Sequence, residues 1–154
     1  MASEAVTTYL NDHLAGSTAA LQLLDHLVDT AERPDDKRFF VTLRAAVTED
    51  RDTLQHVMRR VGGRESSLRH VGGWIAEKAV RLKLMYDDPA SRTLAPLEGL
   101  ELLALGILGK RALWRALAAA GPDIPGLQEF DFVQLEERAN DQHGRVAWSR
   151  RARC

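Results

Sequence analysis

One helical stretch of this chain carries a charged residue in the middle of an otherwise apolar seam. The seam positions recur at alternating steps of three and four residues, which is the spacing of a helix face that packs against partner helices. They are Phe40, Leu43, Val47, Asp50, Leu54, Val57 and Val61. A carboxylate on such a face is costly unless it is paired. Asp50 therefore either fixes the fold or belongs to a site.

Three further stretches show the same rhythm, and each has polar residues in its seam. The three seams are Val6, Leu10, His13, Ser17, Ala20, Leu24 and Leu27, then Leu100, Leu103, Ile107, Lys110, Trp114 and Leu117, and finally Phe132, Leu135, Ala139, Gln142, Val146 and Ser149. Helix-forming residues dominate the chain, and the alternation typical of half-buried strands is absent. The sequence predicts an all-α four-helix bundle.

Turn residues divide the chain into helices within one predicted domain, residues 1–154. The four principal helices are expected at about 3–31, 36–61, 96–120 and 131–151. Apolar residues also recur at helical spacing over 67–85, which predicts a connector helix of roughly 28 Å at about 1.5 Å per residue. A connector of that length would return the chain along the bundle, so that the second and third principal helices run parallel.

Composition and charge narrow the class of protein. The chain has 154 residues, of which 45% are hydrophobic and 28% charged, and its formal net charge is -1. This balance is typical of one globular domain and argues against nucleic-acid binding through a basic face. Cys154 is the only cysteine, so no disulfide can form within the chain. With no secretory signal and no apolar run of membrane-spanning length, we expect a cytoplasmic protein without a membrane span.

The polar seam residues fall at similar heights once the helices are aligned at their turns. Ser17, Asp50, Lys110 and Gln142 are expected near mid-height, with His13 about one turn away. In a structural interpretation, Asp50 and Lys110 pair while the other two complete the hydrogen bonds. In a functional interpretation, the layer is a site of the kind that bundles build in their cores. We prefer the structural interpretation because a lysine lies where a metal cation would have to bind.

Two segments, YLNDHLAGSTAALQLLDHL and LELLALGILGKRALWRAL, resemble those of small uncharacterised bacterial helical proteins, and the whole chain resembles the ferritin-like four-helix bundles. The metal-binding members of that superfamily use a carboxylate from each of two helices and Glu-x-x-His from each of the other two. This sequence has no Glu-x-x-His. The resemblance therefore implies the fold without the two-metal ligand set, and we expect no cofactor. A single weakly bound ion at His13 and Asp50 is the alternative.

The leading functional hypothesis is a metal-free bundle that acts as an interaction module or self-associating scaffold for an unknown protein partner, with no catalytic residues. Gly99, Gly106 and Gly109 lie along one side of the third principal helix, which is either a homodimer face or the surface covered by the connector or the last helix. The alternatives are a degenerate metal or redox site and a pocket in which Lys110 and His13 meet a small anion.

Overall fold

The computed structural model describes residues 4–65, 88 and 94–153, and the regular elements in these residues are all helical. The four long helices are α1 (Glu4–Thr30), α2 (Pro34–Arg60), α3 (Ala95–Ala120) and α4 (Phe132–Arg151), and a short 3₁₀ helix, Gly121–Asp123, follows α3. The predicted all-α class is confirmed for this part of the chain, and its arrangement is compatible with a four-helix bundle. The predicted connector helix, 67–85, lies outside the described residues.

The ends of α2 show how local sequence sets helix boundaries. The helix begins at Pro34, two residues before the predicted start, because proline is well suited to a first helical position where its missing N–H is not needed. The helix ends at Arg60 and is followed by Gly62 with φ of 74°. The N–H groups of Gly62 and Gly63 then donate to the carbonyls of Arg59 and Met58. This left-handed glycine satisfies carbonyls that would otherwise lack donors.

Contacts between helices define their directions. Arg60 at the end of α2 pairs with Glu129 just before α4, and Asp36 at the start of α2 pairs with Arg153 just after α4, so α2 and α4 are antiparallel. The helix α3 is antiparallel to α4 as well, because Glu101 near its start pairs with Arg150 near the end of α4. The helices α2 and α3 therefore run in the same direction.

The seams of α2, α3 and α4 form the core of the bundle. Nearly all their residues are buried, including the polar residues Asp50, Gln142 and Ser149. The seam of α1 differs, since its two leucine-rich ends are buried while its centre, His13, Ser17 and Ala20, is only half-buried. The helix α1 thus packs tightly at its ends and leaves space along its middle.

The glycines of α3 have different surroundings. Gly99 is buried, and a Cβ there would lie 3.3 Å from the Leu27 side chain, so this glycine packs against α1. At Gly106 and Gly109 a Cβ would meet no described atom within 4 Å. The predicted single glycine face is therefore divided into a packed end and an open centre. Although α3 is strongly apolar, no helix among the described residues is long and apolar enough to cross a membrane.

The loop before α4 contains a glycine whose backbone conformation can be tested by substitution. Gly126 has φ of 93°, and a Cβ there would lie 2.6 Å from the Arg60 carbonyl oxygen. We expect Gly126→Ala to lower the free energy of unfolding by roughly 1–3 kcal/mol through backbone strain. The control, Gly144→Ala, lies within α4 where a Cβ meets no described atom within 4 Å, and should stabilise the protein by up to about 1 kcal/mol. Equal effects of the two substitutions in urea unfolding would contradict this view of the loop.

Candidate functional site

Three side chains from three helices meet at the middle of the bundle. The Lys110 ammonium of α3 donates to Asp50 Oδ2 of α2 at 2.5 Å, and it also donates to Gln142 Oε1 of α4. The Gln142 amide nitrogen donates to the same Asp50 oxygen at 2.8 Å. These three residues close a triangle of hydrogen bonds, which we call the polar layer.

Arg138 of α4 extends the polar layer towards the surface. Its guanidinium donates to Glu49 at 2.7 Å and lies 3.3 Å from Asp50 Oδ1, an oxygen that accepts no hydrogen bond from the described residues. The group of four charges contains two acids, Glu49 and Asp50, and two bases, Lys110 and Arg138. Formal charge is therefore balanced without any added ion.

The pKa values in this group reflect both burial and pairing. Burial is the main cause that lowers the pKa of Lys110, and the nearby Arg138 lowers it further, while the charge and hydrogen bond of Asp50 oppose the shift. The hydrogen bond and charge of Arg138 lower the pKa of Glu49, and the hydrogen bond from Arg138 to Glu49 is the main cause that raises the pKa of Arg138. The net effect is a lowered pKa of Lys110, which Asp50 limits but does not reverse.

Two residues that the sequence placed near this height are not part of the triangle. The Ser17 hydroxyl donates to the Leu14 carbonyl of its own helix at 2.7 Å, so it does not complete the hydrogen bonds of Asp50 as expected. His13 stacks edge-on against Tyr9, with ring centroids 4.8 Å apart. Burial lowers the pKa of His13, and the charge of Asp12 opposes that shift. Both His13 and Ser17 instead face a cavity beside the polar layer.

This cavity has a volume of about 210 Å³ and lies between α1, α2 and α3, and it is partly open to solvent, since Asp12 and Gly106 in its wall are exposed. Most of its wall is apolar, and the larger apolar side chains are Val47, Leu54, Leu103, Ile107, Leu113 and Trp114. Gly16 of α1 and Gly106 and Gly109 of α3 all lie in its wall, and a Cβ at any of these would meet no described atom within 4 Å. Because these glycines have no side chains to fill the space between α1 and α3, the centre of α1 is only half-buried.

The polar members of the cavity wall include one that sequence analysis overlooked. Trp114 is 1% exposed, and its buried indole Nε1 has no hydrogen-bond partner among the described residues. Its ring stacks on Phe132 with centroids 6.2 Å apart, so packing holds it in place. The signal was present in the sequence, because Trp114 is one helical turn beyond Lys110 in the same seam. An aromatic residue at a seam position predicts core packing, and a seam pattern carries no information about the partner of its N–H.

A metal site at His13 and Asp50 finds no third ligand in the part of the chain that the structure describes. Both residues line the cavity, but the described residues contain no group of three or more histidine, cysteine, aspartate or glutamate side chains that could hold a metal ion. Asp50 Oδ2 already accepts two hydrogen bonds. Any cation at Asp50 would therefore compete with an ammonium that is already in contact.

A double-mutant cycle measures the coupling within the polar layer. Asp50→Leu leaves the Lys110 ammonium without its anion, and Lys110→Met leaves Asp50 with Gln142 and the more distant Arg138. We expect each substitution to cost roughly 3–5 kcal/mol, with Lys110→Met near the lower end, because a buried charge loses its partner. The double variant should unfold close to the wild-type denaturant midpoint.

The control for this cycle is the exposed pair Asp25 and Arg44, which joins α1 to α2 by a hydrogen bond. Exposed ion pairs are screened by water, so its coupling should be far smaller. Additive losses for Asp50 and Lys110 would show that the buried contact does not form.

His13 should make stability depend on pH. Its folded-state pKa lies below the ordinary value of 6.5, so the native state binds fewer protons than the unfolded chain in the window between the two values. The free energy of unfolding should not depend on the protonation of His13 above pH 6.5. It should decrease as the pH falls through the window between the two pKa values. The charged groups that line the same cavity as His13 are Asp12 on its own helix, Asp50 and Arg51 of α2, and Lys110 of α3.

We expect His13→Gln to flatten this fall in urea-unfolding measurements made across the window. The matched control is His143→Gln on α4, outside the cavity wall, and the change in slope should be clearly larger for His13→Gln. An unchanged slope in His13→Gln would contradict the shifted pKa.

No protein-family model, curated protein or solved structure matches this chain. Function must therefore be inferred from the geometry of the polar layer and the cavity.

Proposed function

We propose that this chain is a ferritin-like bundle without a metal centre, and that it binds a small organic molecule in the cavity beside the polar layer. The observation that carries the proposal is the apolar cavity of about 210 Å³ at mid-height. The parallel direction of α2 and α3 supports the ferritin-like part, because a bundle with one long crossover has this arrangement. The polar layer lies where such bundles build their sites.

The size of the cavity supports a binding role. Protein interiors are packed as densely as organic crystals, with few voids larger than a water molecule. An engineered apolar cavity of about 150 Å³ in another protein stays dry and binds benzene. The cavity beside Lys110 is larger than that, although it is partly open to solvent, and its mostly apolar wall with several polar side chains is typical of ligand sites.

Binding fits the chemistry of the polar layer better than catalysis does. The Lys110 ammonium is held by Asp50 and Gln142, and Asp50 Oδ2 accepts from both. These hydrogen bonds hold the Lys110 ammonium and Asp50 Oδ2 against each other, which favours a structural role for the pair over a catalytic one. What remains for a ligand is a mostly apolar space with polar side chains, both acidic and basic, in its wall.

Self-association is a second candidate, and it corresponds to the leading hypothesis from the sequence. Leu105 of α3 is 65% exposed, next to the open glycines Gly106 and Gly109. An exposed apolar side chain beside small residues allows a second helix to approach closely. The same surface would make the protein a scaffold for copies of itself in the cytoplasm.

A neutral apolar probe tests the binding proposal. We expect toluene to raise the melting temperature and to shift the Trp114 indole N–H resonance, because a ligand that binds only the folded state stabilises it. Gly16→Leu should fill the cavity and abolish both effects. The matched control, Gly144→Leu, places the same side chain at an open glycine of α4 outside the cavity wall. No response of the wild type to saturating toluene would refute the proposal.

Sedimentation equilibrium tests self-association separately. If α3 forms a homodimer face, the wild type should be dimeric and Leu105→Glu should be monomeric, because a carboxylate would be buried in the contact. Val41→Glu on α2, where Val41 is 49% exposed, is the matched control and should leave the mass unchanged. A monomeric wild type at high micromolar concentration would remove this candidate.

A further inference from the structure

The charged side chains in the cavity wall balance one another. The acids are Asp12 and Asp50, and the bases are Arg51 and Lys110. Asp50 and Lys110 are in contact at 2.5 Å, and Arg51 pairs with Glu65 at 3.1 Å. Asp12 is exposed to solvent. Because a charged group is costly to bury unless it is paired, a wall without net formal charge favours a neutral ligand over a charged one.

His13 brings unused hydrogen-bonding capacity to the same wall. The other neutral polar side chain there, Ser17, donates its hydroxyl to the Leu14 carbonyl. The His13 imidazole makes no hydrogen bond with the described residues, and its neighbour Tyr9 meets it edge-on as a ring. Burial holds the pKa of His13 below the ordinary value of 6.5. Above that pH the imidazole is neutral, with one nitrogen that donates and one that accepts.

The position of His13 allows a ligand to reach these nitrogens. The side chain is half-buried in the wall of a cavity that is partly open to solvent. Neither ring nitrogen of His13 is buried, whereas the indole nitrogen of Trp114 is. The contact with Tyr9 supports the imidazole ring from its own helix. A molecule in the cavity can therefore replace water at His13 while its apolar body lies against the aliphatic part of the wall.

We infer that the cavity recognises a neutral molecule of about one aromatic ring that carries a hydroxyl group, and that this hydroxyl donates to the imidazole of His13. The inference deepens the proposed function and rests on it. The volume of about 210 Å³ suits roughly a substituted benzene, since about 150 Å³ accommodates benzene itself. A hydroxyl occupies the acceptor nitrogen without adding charge to the wall.

Phenol and toluene form the matched pair of probes, because a hydroxyl and a methyl group are similar in size. At about pH 8 phenol is still neutral, since phenolic hydroxyls ionise near pH 10. The substitution His13→Phe keeps a ring beside Tyr9 and removes both nitrogens. In NMR titrations we expect phenol to bind His13→Phe roughly fivefold more weakly than the wild type, because one hydrogen bond is lost. Toluene should bind the two proteins within about twofold, because its apolar contacts remain.

Two further variants separate hydrogen bonding from a change in cavity shape. Glutamine carries an amide oxygen that accepts a hydrogen bond, so His13→Gln should bind phenol more tightly than His13→Phe does. The matched control is His143→Phe on α4, outside the cavity wall, which should leave the affinities for both probes unchanged. If His13→Phe weakens phenol and toluene by the same factor, His13 only shapes the cavity and the inference is wrong.

The wild-type protein gives a test that needs no substitution. The ¹⁵N resonance of the unprotonated ring nitrogen of His13 should move upfield when phenol is added, because that nitrogen accepts a hydrogen bond from the hydroxyl. Toluene should leave this resonance nearly unchanged. A His13 nitrogen resonance that does not respond to saturating phenol would overturn the hydroxyl contact, whether or not the variants fold.

The outcomes distinguish this inference from the proposed function. If toluene binds and phenol leaves the His13 nitrogen unaffected, the hydroxyl class is wrong and the cavity still binds apolar molecules. If neither probe binds the wild type, the proposed function and this inference both fail. Phenol binding that depends on His13, together with toluene binding that does not, supports the inference.

Discussion

The buried carboxylate of Asp50 is the constraint on which the rest of the structure depends. Asp50 is 3% exposed, and its charge is met by Lys110 of α3 while Gln142 of α4 completes the triangle. If α3 or α4 shifted by one turn, about 5.4 Å, the charge of Asp50 would be left buried without these partners. Apolar side chains on both sides of the polar layer contribute most of the stabilising free energy, but their contacts are non-directional. The polar layer adds direction, because only one register of three helices satisfies it.

Much of this arrangement can be predicted from the sequence, because the seams and the turns between helices restrict how the helices can pack. A seam fixes which side of a helix faces its neighbours, and short turns fix the relative heights of the helices they join. Lys110 and Gln142 are at comparable distances from the turn between α3 and α4, so they meet when those helices pack. Asp50 reaches the same height only if α2 and α3 run in the same direction, which the long segment between them predicts and which the contacts of Asp36 and Glu101 show.

What the seams could not predict depends on side-chain conformation and on missing atoms. Arg138 is outside the seam of α4, yet its long side chain reaches both Glu49 and Asp50. Ser17 is in a seam, yet its short side chain bonds its own helix, a competition that periodicity does not describe. The cavity requires three helices to leave space at the same height, and a heptad pattern does not report distances between helix axes. Glycines at its wall, such as Gly16, gave only an indirect sign of that space.

Lys110 belongs to both the polar layer and the wall of the cavity. Because the charges of Asp50 and Lys110 balance within the layer, the pair needs no added ion to neutralise it. The indole N–H of Trp114, one helical turn further along α3, is buried without an acceptor among the described residues. A buried donor without an acceptor costs free energy, and the stacking of Trp114 on Phe132 is one contact that offsets this cost. The second half of α3 thus combines a paired charge with an unpaired donor.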